Sequence, residues 1–211
     1  MALCEGDDFW ICKNKLQKQV DALEKMNNVD MCFHPAIVKN CTDRKSEYVI
    51  CRHYSQDIIV PVENIINGGG EYCPTASLMI RKNIIKNLPD WYMSAPVGDY
   101  YLQIISSMRG GAIYLNDIMS VYRTGNNNSW TDSIKEKYKM IDFSAKSILA
   151  LKEANLWSSN NYEKEFMNRI KICTNRINNA IDGKFNNSGS SGNFFGKAIK
   201  IIKKINKINI F

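Results

Sequence analysis

Three carboxylates crowd into four residues near the start of the chain, Glu5-Gly6-Asp7-Asp8. They follow the short apolar run Ala2-Leu3-Cys4 and precede Phe9-Trp10. Carboxylates this close repel, each raising the cost of ionising its neighbour. A divalent cation relieves that conflict, and a hard ion such as Mg²⁺ takes oxygen ligands. Gly6 leaves room for a large ligand to approach the backbone, and strand ends in α/β sheets are where ligands gather. The triplet reads equally well as an acidic turn opening the next helix, because Asp is a good helix cap. A second acidic point stands at Gly98-Asp99, ahead of Tyr100-Tyr-Leu-Gln-Ile-Ile. On local grounds Asp99 caps a helix, whose dipole favours the ionised carboxylate. Arg123 has forked donors that can bind a phosphate or an acceptor, or pair with Asp117.

The elements that must position these residues follow from periodicity. Leu16, Val20 and Leu23 recur at helical spacing and predict a helix from Asn14 to about Met26, with Asn14 as cap and the apolar stripe as core. Between Val29 and Val60 the pattern turns to short β-like runs, Val29–His34 and Tyr48–Cys51, parted by polar residues 40–46. His34 and His53, the only histidines, have no partner at metal-ligand spacing and read as structural. Gly68-Gly69-Gly70 reads as a loop, since a phosphate cradle needs a helix N-terminus beside it. Leu88-Pro-Asp-Trp91 is a turn. A helix opens at Gly98 and stops near Gly110, with Leu102, Ile105 and Met108 on a buried face. Ala112–Arg123 reads as a strand pair or a kinked strand.

Two further helices are expected. One covers 133–156, with Ile134, Tyr138, Ile141, Ile148 and Leu151 in phase. The other runs from Asn160 to about Ile181, with Phe166, Ile170, Cys173 and Ile177 inward. After a polar, small-residue linker, the last residues place Lys197, Lys200, Lys203, Lys204 and Lys207 on about a third of a helical wheel. Phe194, Ile201, Ile202, Ile205 and Ile208 lie opposite. A basic amphipathic helix of this kind lies in an anionic membrane interface, or packs on protein. The chain thus divides into a sheet domain (1–130), a helical appendage (131–182), a linker (183–193) and the amphipathic segment (194–211).

A length of 211 residues, with 45% hydrophobic and 23% charged residues, suits a globular, soluble protein. Much of the net charge of +7 comes from the tail, which points to an anionic partner such as a membrane surface. No helix-turn-helix or aromatic-basic stripe supports nucleic-acid binding. Seven cysteines, an odd count without a C-x-x-C pair, argue against zinc and for reduced thiols in the cytoplasm. Neither a signal peptide nor a spanning stretch is visible.

The run Ala2-Leu-Cys-Glu-Gly-Asp-Asp-Phe-Trp10, followed by Asn14-Lys-Leu-Gln-Lys-Gln-Val-Asp21, resembles the centre of glycosyltransferase family 2. There a strand ends in a DxD-like motif and leads into a "KLQKQ" helix. Pro74-Thr-Ala-Ser-Leu-Met-Ile-Arg81 is similar to that family's "PTSSxMFR" strand, and Ala112–Arg123 to its "YLDEVMSVYR". The resemblance covers roughly residues 1–130. It implies an α/β fold, a partial GT-A (Rossmann-like) sheet domain with a C-terminal helical appendage. Met1-Ala-Leu-Cys would then be the end of a buried strand, with the β-α units that normally precede it absent.

What the resemblance implies for function is equally specific. A sugar moves from a nucleotide-sugar donor to a glycan or lipid-linked acceptor, with inversion, in the cytoplasm or at the inner face of the cell membrane. Glu5 and Asp7 would hold donor and Mg²⁺ or Mn²⁺, with Asp8 in support. Thr75 and Ser77 would offer hydroxyls to the donor, or pack on the sheet. Asp99 stands where the family carries its catalytic base. Trp91 and Tyr100 would wall a sugar face or fill core, and Arg123 would bind acceptor or phosphate. Gly125 occupies a position where some relatives carry a histidine that approaches the metal. The contrasting expectation is a non-catalytic remnant that binds a membrane or a partner through residues 194–211.

Overall fold

Two stretches of chain form the centre of the fold, each supplying a strand first to one sheet and then to a second. The computed structural model describes residues 1–41, 47–125 and 136–182. In chain order the elements are β1 (Phe9–Trp10), α1 (Lys15–Lys25), β2 (Met31–Phe33), β3 (Ala36–Asn40), β4 (Glu47–Ile50), β5 (Ile58–Val60), α2 (Val62–Gly68), β6 (Met79–Ile80), α3 (Lys82–Lys86), α4 (Gly98–Ser107), β7 (Ala112–Tyr114), β8 (Ser120–Thr124), α5 (Lys137–Trp157) and α6 (Glu163–Ile181). Single 3₁₀ turns cover Thr75–Ser77 and Asp90–Ser94. The architecture is mixed α/β, with two four-stranded mixed sheets.

One sheet has the order β5-β7-β2-β6 and the other β1-β8-β3-β4. β2 runs parallel to β7 in the first, and β3 parallel to β8 in the second. Residues 31–40 and 112–124 are therefore neighbours in both sheets. The expected pairing of the two halves of Ala112–Arg123 with each other does not occur, because β7 and β8 belong to different sheets. The first residues lie along the outer side of β6: Ala2 bridges Met79, and the Leu3 amide donates to the Leu78 carbonyl at 3.1 Å.

β2 is buried at every position, as expected of a strand covered on both faces. Met31 and Phe33 join Val60, Ile65, Leu78, Ile80, Leu102 and Tyr114 in one core cluster. Cys32 points the other way, with Leu23, Met79, Ile113 and Met119. The period-2 alternation of a strand thus separates α1 on one face from α2 and α4 on the other. α4 is buried from Tyr100 through Ser107, the mark of an interior helix. Gly110 and Gly111, at φ +76° and +84°, turn the chain out of α4 into β7. Beneath this turn Asp30, nearly fully buried, accepts from Arg109 Nε at 2.8 Å.

The face of α1 differs from the one its apolar spacing predicts. Lys15, Gln19 and Leu23 are buried, whereas Leu16 and Val20 remain 43% and 36% exposed. The reason is that Lys15 and Gln19 find specific partners beneath the helix, described below. Between the β-like runs and the glycine loop the chain forms α2, a helix that the periodicity does not single out. Val62, Ile65 and Ile66 form the buried side of α2, and the glycine run follows its C-terminal end.

The chain divides into two compact units, Met1–Tyr92 with Val97–Asn127, and Met93–Pro96 with Asn128–Phe211. Both sheets belong to the first. In the second, α5 and α6 pack against each other. Phe166, Ile170, Cys173 and Ile177 are all buried, as their spacing predicts. On α5, Ile141, Ile148 and Leu151 are buried while Tyr138 is 43% exposed. No helix among the described residues is long and apolar enough to cross a membrane. The linker, the basic amphipathic segment and Ile134 lie outside the described residues.

Candidate functional site

The acidic residues occupy a loop tied at both ends. Upstream, Leu3 is bonded to Leu78 beside β6; downstream, Phe9 and Trp10 pair with Val121 and Ser120 of β8. Within the loop the Asp8 amide donates to the Glu5 carbonyl at 3.1 Å. Arg123 grips the loop twice. Its backbone N–H donates to Asp8 Oδ1 at 3.0 Å, and its guanidinium Nε donates to the Asp7 carbonyl. The guanidinium also lies 6.0 Å from the Phe9 ring centroid. Asp117, the alternative partner that the sequence offers Arg123, pairs with Lys18 at 2.6 Å.

The turn Thr75–Ser77 lies against this loop. Trp10 Nε1 donates to the Ala76 carbonyl at 3.0 Å, and Gln19 Nε2 to the Ser77 carbonyl at 2.7 Å. Thr75 Oγ1 donates to Asp99 Oδ2 at 3.2 Å. The other carboxylate oxygen, Oδ1, accepts the Tyr100 amide at 2.7 Å, in the first turn of α4. A chain of contacts therefore leads from the acidic loop through Trp10 and the turn to Asp99.

The electrostatics bring the two acidic points together. Partial desolvation raises the Glu5 carboxyl above its usual range, and Asp8, Asp99 and Asp7 each raise it further. Burial also raises Asp8, which is only 8% exposed, against the opposing pull of the Arg123 amide. Asp8 Oδ2 is buried with no hydrogen-bond partner among the described residues. An excess of negative charge is thus concentrated here, and a cation would relieve it.

The remaining residues singled out by sequence divide by orientation. Thr75 is half-buried and reaches Asp99. Ser77 is fully buried, its hydroxyl donating to the Pro74 carbonyl at 2.6 Å. Tyr100 is turned into the core, its hydroxyl donating to the Ile66 carbonyl at 2.7 Å. Trp91 packs edge-on against the buried Tyr101 ring, with centroids 6.0 Å apart. Of the histidines, His34 is buried. Its Nδ1 lies 2.9 Å from the Pro35 carbonyl, which must accept from it, and burial lowers its pKa to about 4.

Sequence reasoning missed Lys15. It is 1% exposed; its Nζ donates to Gln19 Oε1 at 2.7 Å and lies 4.3 Å from the Trp10 ring centroid. Burial lowers its pKa to about 8. The signal was available, because Lys15, Gln19 and Leu23 share one helix face at i, i+4 and i+8.

Whether the loop suits a metal depends on its donor set. Among the described residues no three His, Cys, Asp or Glu side chains are grouped to hold an ion. Mg²⁺ does not need such a cage, since it is usually bound by one or two carboxylates together with substrate phosphates and water. Glu5 and Asp7 are two carboxylates of the right chemical type in one loop, beside the buried Asp8 Oδ2.

No family model matches the chain. Over 157 residues, 74% of its length, the chain is 28% identical to uncharacterized proteins of Mycobacterium tuberculosis and Mycobacterium bovis. The matched stretch is 43% of each relative. The chain therefore spans less than half the length of the curated relatives it matches.

Proposed function

We propose that this chain carries the acid-loop and base-bearing part of an inverting, cation-assisted glycosyltransferase. It would use a nucleotide-sugar donor and a glycan or lipid-linked acceptor, on a GT-A-like fold. The observation that carries the reading is the contact path from the acidic loop through Trp10 and the Thr75–Ser77 turn to Asp99, which brings two acidic points far apart in sequence into one site. The motif resemblance over residues 1–130 supports it independently.

In this reading Asp99 takes the proton of the acceptor hydroxyl. The oxygen forms its new bond to the anomeric carbon as the bond to the departing nucleoside diphosphate breaks. Asp99 suits the task by position: it stands in the first turn of α4, where the Thr75 hydroxyl and the Tyr100 amide fix the carboxylate plane. Glu5 and Asp7 face the donor, and Arg123 holds their loop in shape. A bound Mg²⁺ or Mn²⁺ would offset the charge on the leaving diphosphate, with Glu5 and Asp7 as its protein ligands.

The test is calorimetry with UDP-glucose, UDP-N-acetylglucosamine and GDP-mannose in the presence of Mn²⁺, followed by turnover with the donor that binds. Asp99→Asn is expected to cut turnover by about 10²–10⁴-fold, the usual worth of a general base, while leaving donor affinity within about twofold. Glu5→Gln is expected to weaken the donor. Absence of binding by every donor overturns the proposal.

A further inference from the structure

We propose that the aromatic cluster capped by His53 is the subsite for a saccharide ring of the acceptor, a proposal that rests on the glycosyl-transfer reading above. His53 is exposed and stacks on Tyr72, with centroids 4.0 Å apart and planes 9° from parallel. Tyr54 is edge-on to Tyr114 at 5.4 Å, and Phe33 is edge-on to the same ring at 5.4 Å. Phe33 and Tyr114 form a buried floor, Tyr54 and Tyr72 are half-buried, and His53 meets solvent.

Polar groups rim these rings. His53 Nε2 donates to the Tyr72 carbonyl at 2.8 Å, which fixes the imidazole plane. Tyr54 Oη lies 3.3 Å from Tyr72 Oη and accepts from Asn64 Nδ2 at 3.0 Å. An exposed stack with an apolar face and a hydroxyl-bearing edge matches a sugar ring, which is itself apolar on its C–H face and polar at its rim. The glycine run contributes to the shape: a Cβ on Gly68 would collide with the Tyr72 ring.

Continuity assigns the platform to the acceptor. Cys51 Sγ donates to the Glu71 carbonyl at 3.2 Å, next to Tyr72. Four residues further on, Thr75 bonds Asp99. Between them lies Cys73, which is buried. The segment Glu71–Thr75 thus joins the platform to the base, and the acidic loop meets the next residue of the same turn where Trp10 Nε1 donates to the Ala76 carbonyl. In this assignment the acidic loop takes the donor, and the platform takes the acceptor whose hydroxyl Asp99 deprotonates.

Aromatic ¹H–¹³C NMR with methyl β-glucopyranoside, methyl β-galactopyranoside and N-acetylglucosamine tests this directly. At concentrations up to about 50 mM, where even a millimolar site fills, one or more of them is expected to shift the His53 and Tyr72 ring signals. His53→Ala is expected to weaken that binding about tenfold, the scale of one ring contact, and His53→Phe to retain it. Shifts caused by uridine instead of glycosides, shifts unaffected by His53→Ala, or none at all would each overturn the subsite. Donor calorimetry on the same sample separates the two claims. Donor binding without glycoside binding removes the platform and leaves the transferase. Glycoside binding at the rings without donor binding keeps a saccharide subsite and removes glycosyl transfer.

Discussion

Lys15 is a cation held inside the fold with a neutral amide and an indole as its recorded partners. Its folded pKa, about 8, lies below the ordinary lysine value. From roughly pH 8 to 10.4 Lys15 is therefore more protonated in the unfolded chain than in the folded one, and its own contribution to stability rises with pH across that window, against the Cys32 and Cys51 thiols, which burial pushes up to about 12 and which act in the opposite sense. Below pH 8 both states are protonated and the burial penalty is constant. Urea unfolding of the chain and of Lys15→Met between pH 7 and 10 is expected to isolate this upward term as the difference between the two curves, with the variant losing more stability as pH rises. His34 works in the acid range in the same sense. Its neutral ring, with a pKa near 4, stays unprotonated while the unfolded chain takes up a proton, so stability falls as pH drops from about 6.5 toward 4.

Among elements, the turn from α4 into β7 is the most sharply specified. Gly111 has a positive φ, and a Cβ there would strike the Val60 carbonyl oxygen. Gly111→Ala is expected to cost about 1–3 kcal/mol or more from backbone strain and the clash together, read as a lower urea midpoint with the slope unchanged. The stop near Gly110 was legible because glycine ends a helix by conformation alone. The inward phase of α6 was legible because Phe166, Ile170, Cys173 and Ile177 hold one helical phase, while Met167 and Ile172 on the exposed side stand alone among polar residues. The phase of α1 was not, because two polar side chains, Lys15 and Gln19, displaced Leu16 and Val20, and the Ser77 carbonyl that holds Gln19 lies far off in sequence. Likewise no local pattern tells that β7 and β8 enter different sheets, or that the Ser77 and Tyr100 hydroxyls bond to carbonyls inside the fold. The Thr75–Asp99 bond was hidden for the same reason, although each residue was singled out on its own.

At the scale of the whole molecule, the proposed function gives a cation only two protein ligands, Glu5 and Asp7, with the rest of its shell left to substrate and water. Mn²⁺ alone is expected to move the thermal midpoint little. UDP and Mn²⁺ together are expected to raise it, by an amount that approaches about 2.7 kcal/mol of stabilisation when ligand exceeds its Kd a hundredfold. The effect should fade on acidification sooner than for an ordinary carboxylate site, since the Glu5 carboxyl takes up its proton at a higher pH than usual. A differential scanning series with and without UDP reads both trends. The matched relatives are more than twice as long as the stretch they share with this chain, so the same titration on one of them would show whether further residues tighten the shell.

The loop from Cys4 to Asp8 is fastened at one end to the sheet that holds β6 and at the other to the sheet that holds β8. Five residues leave little slack. A slide of one sheet past the other must be taken up within them, and the spacing of Glu5, Asp7 and Asp8 changes with it. The loop is then a strain gauge for the seam between the sheets, and whatever stiffens that seam also tunes the carboxylates.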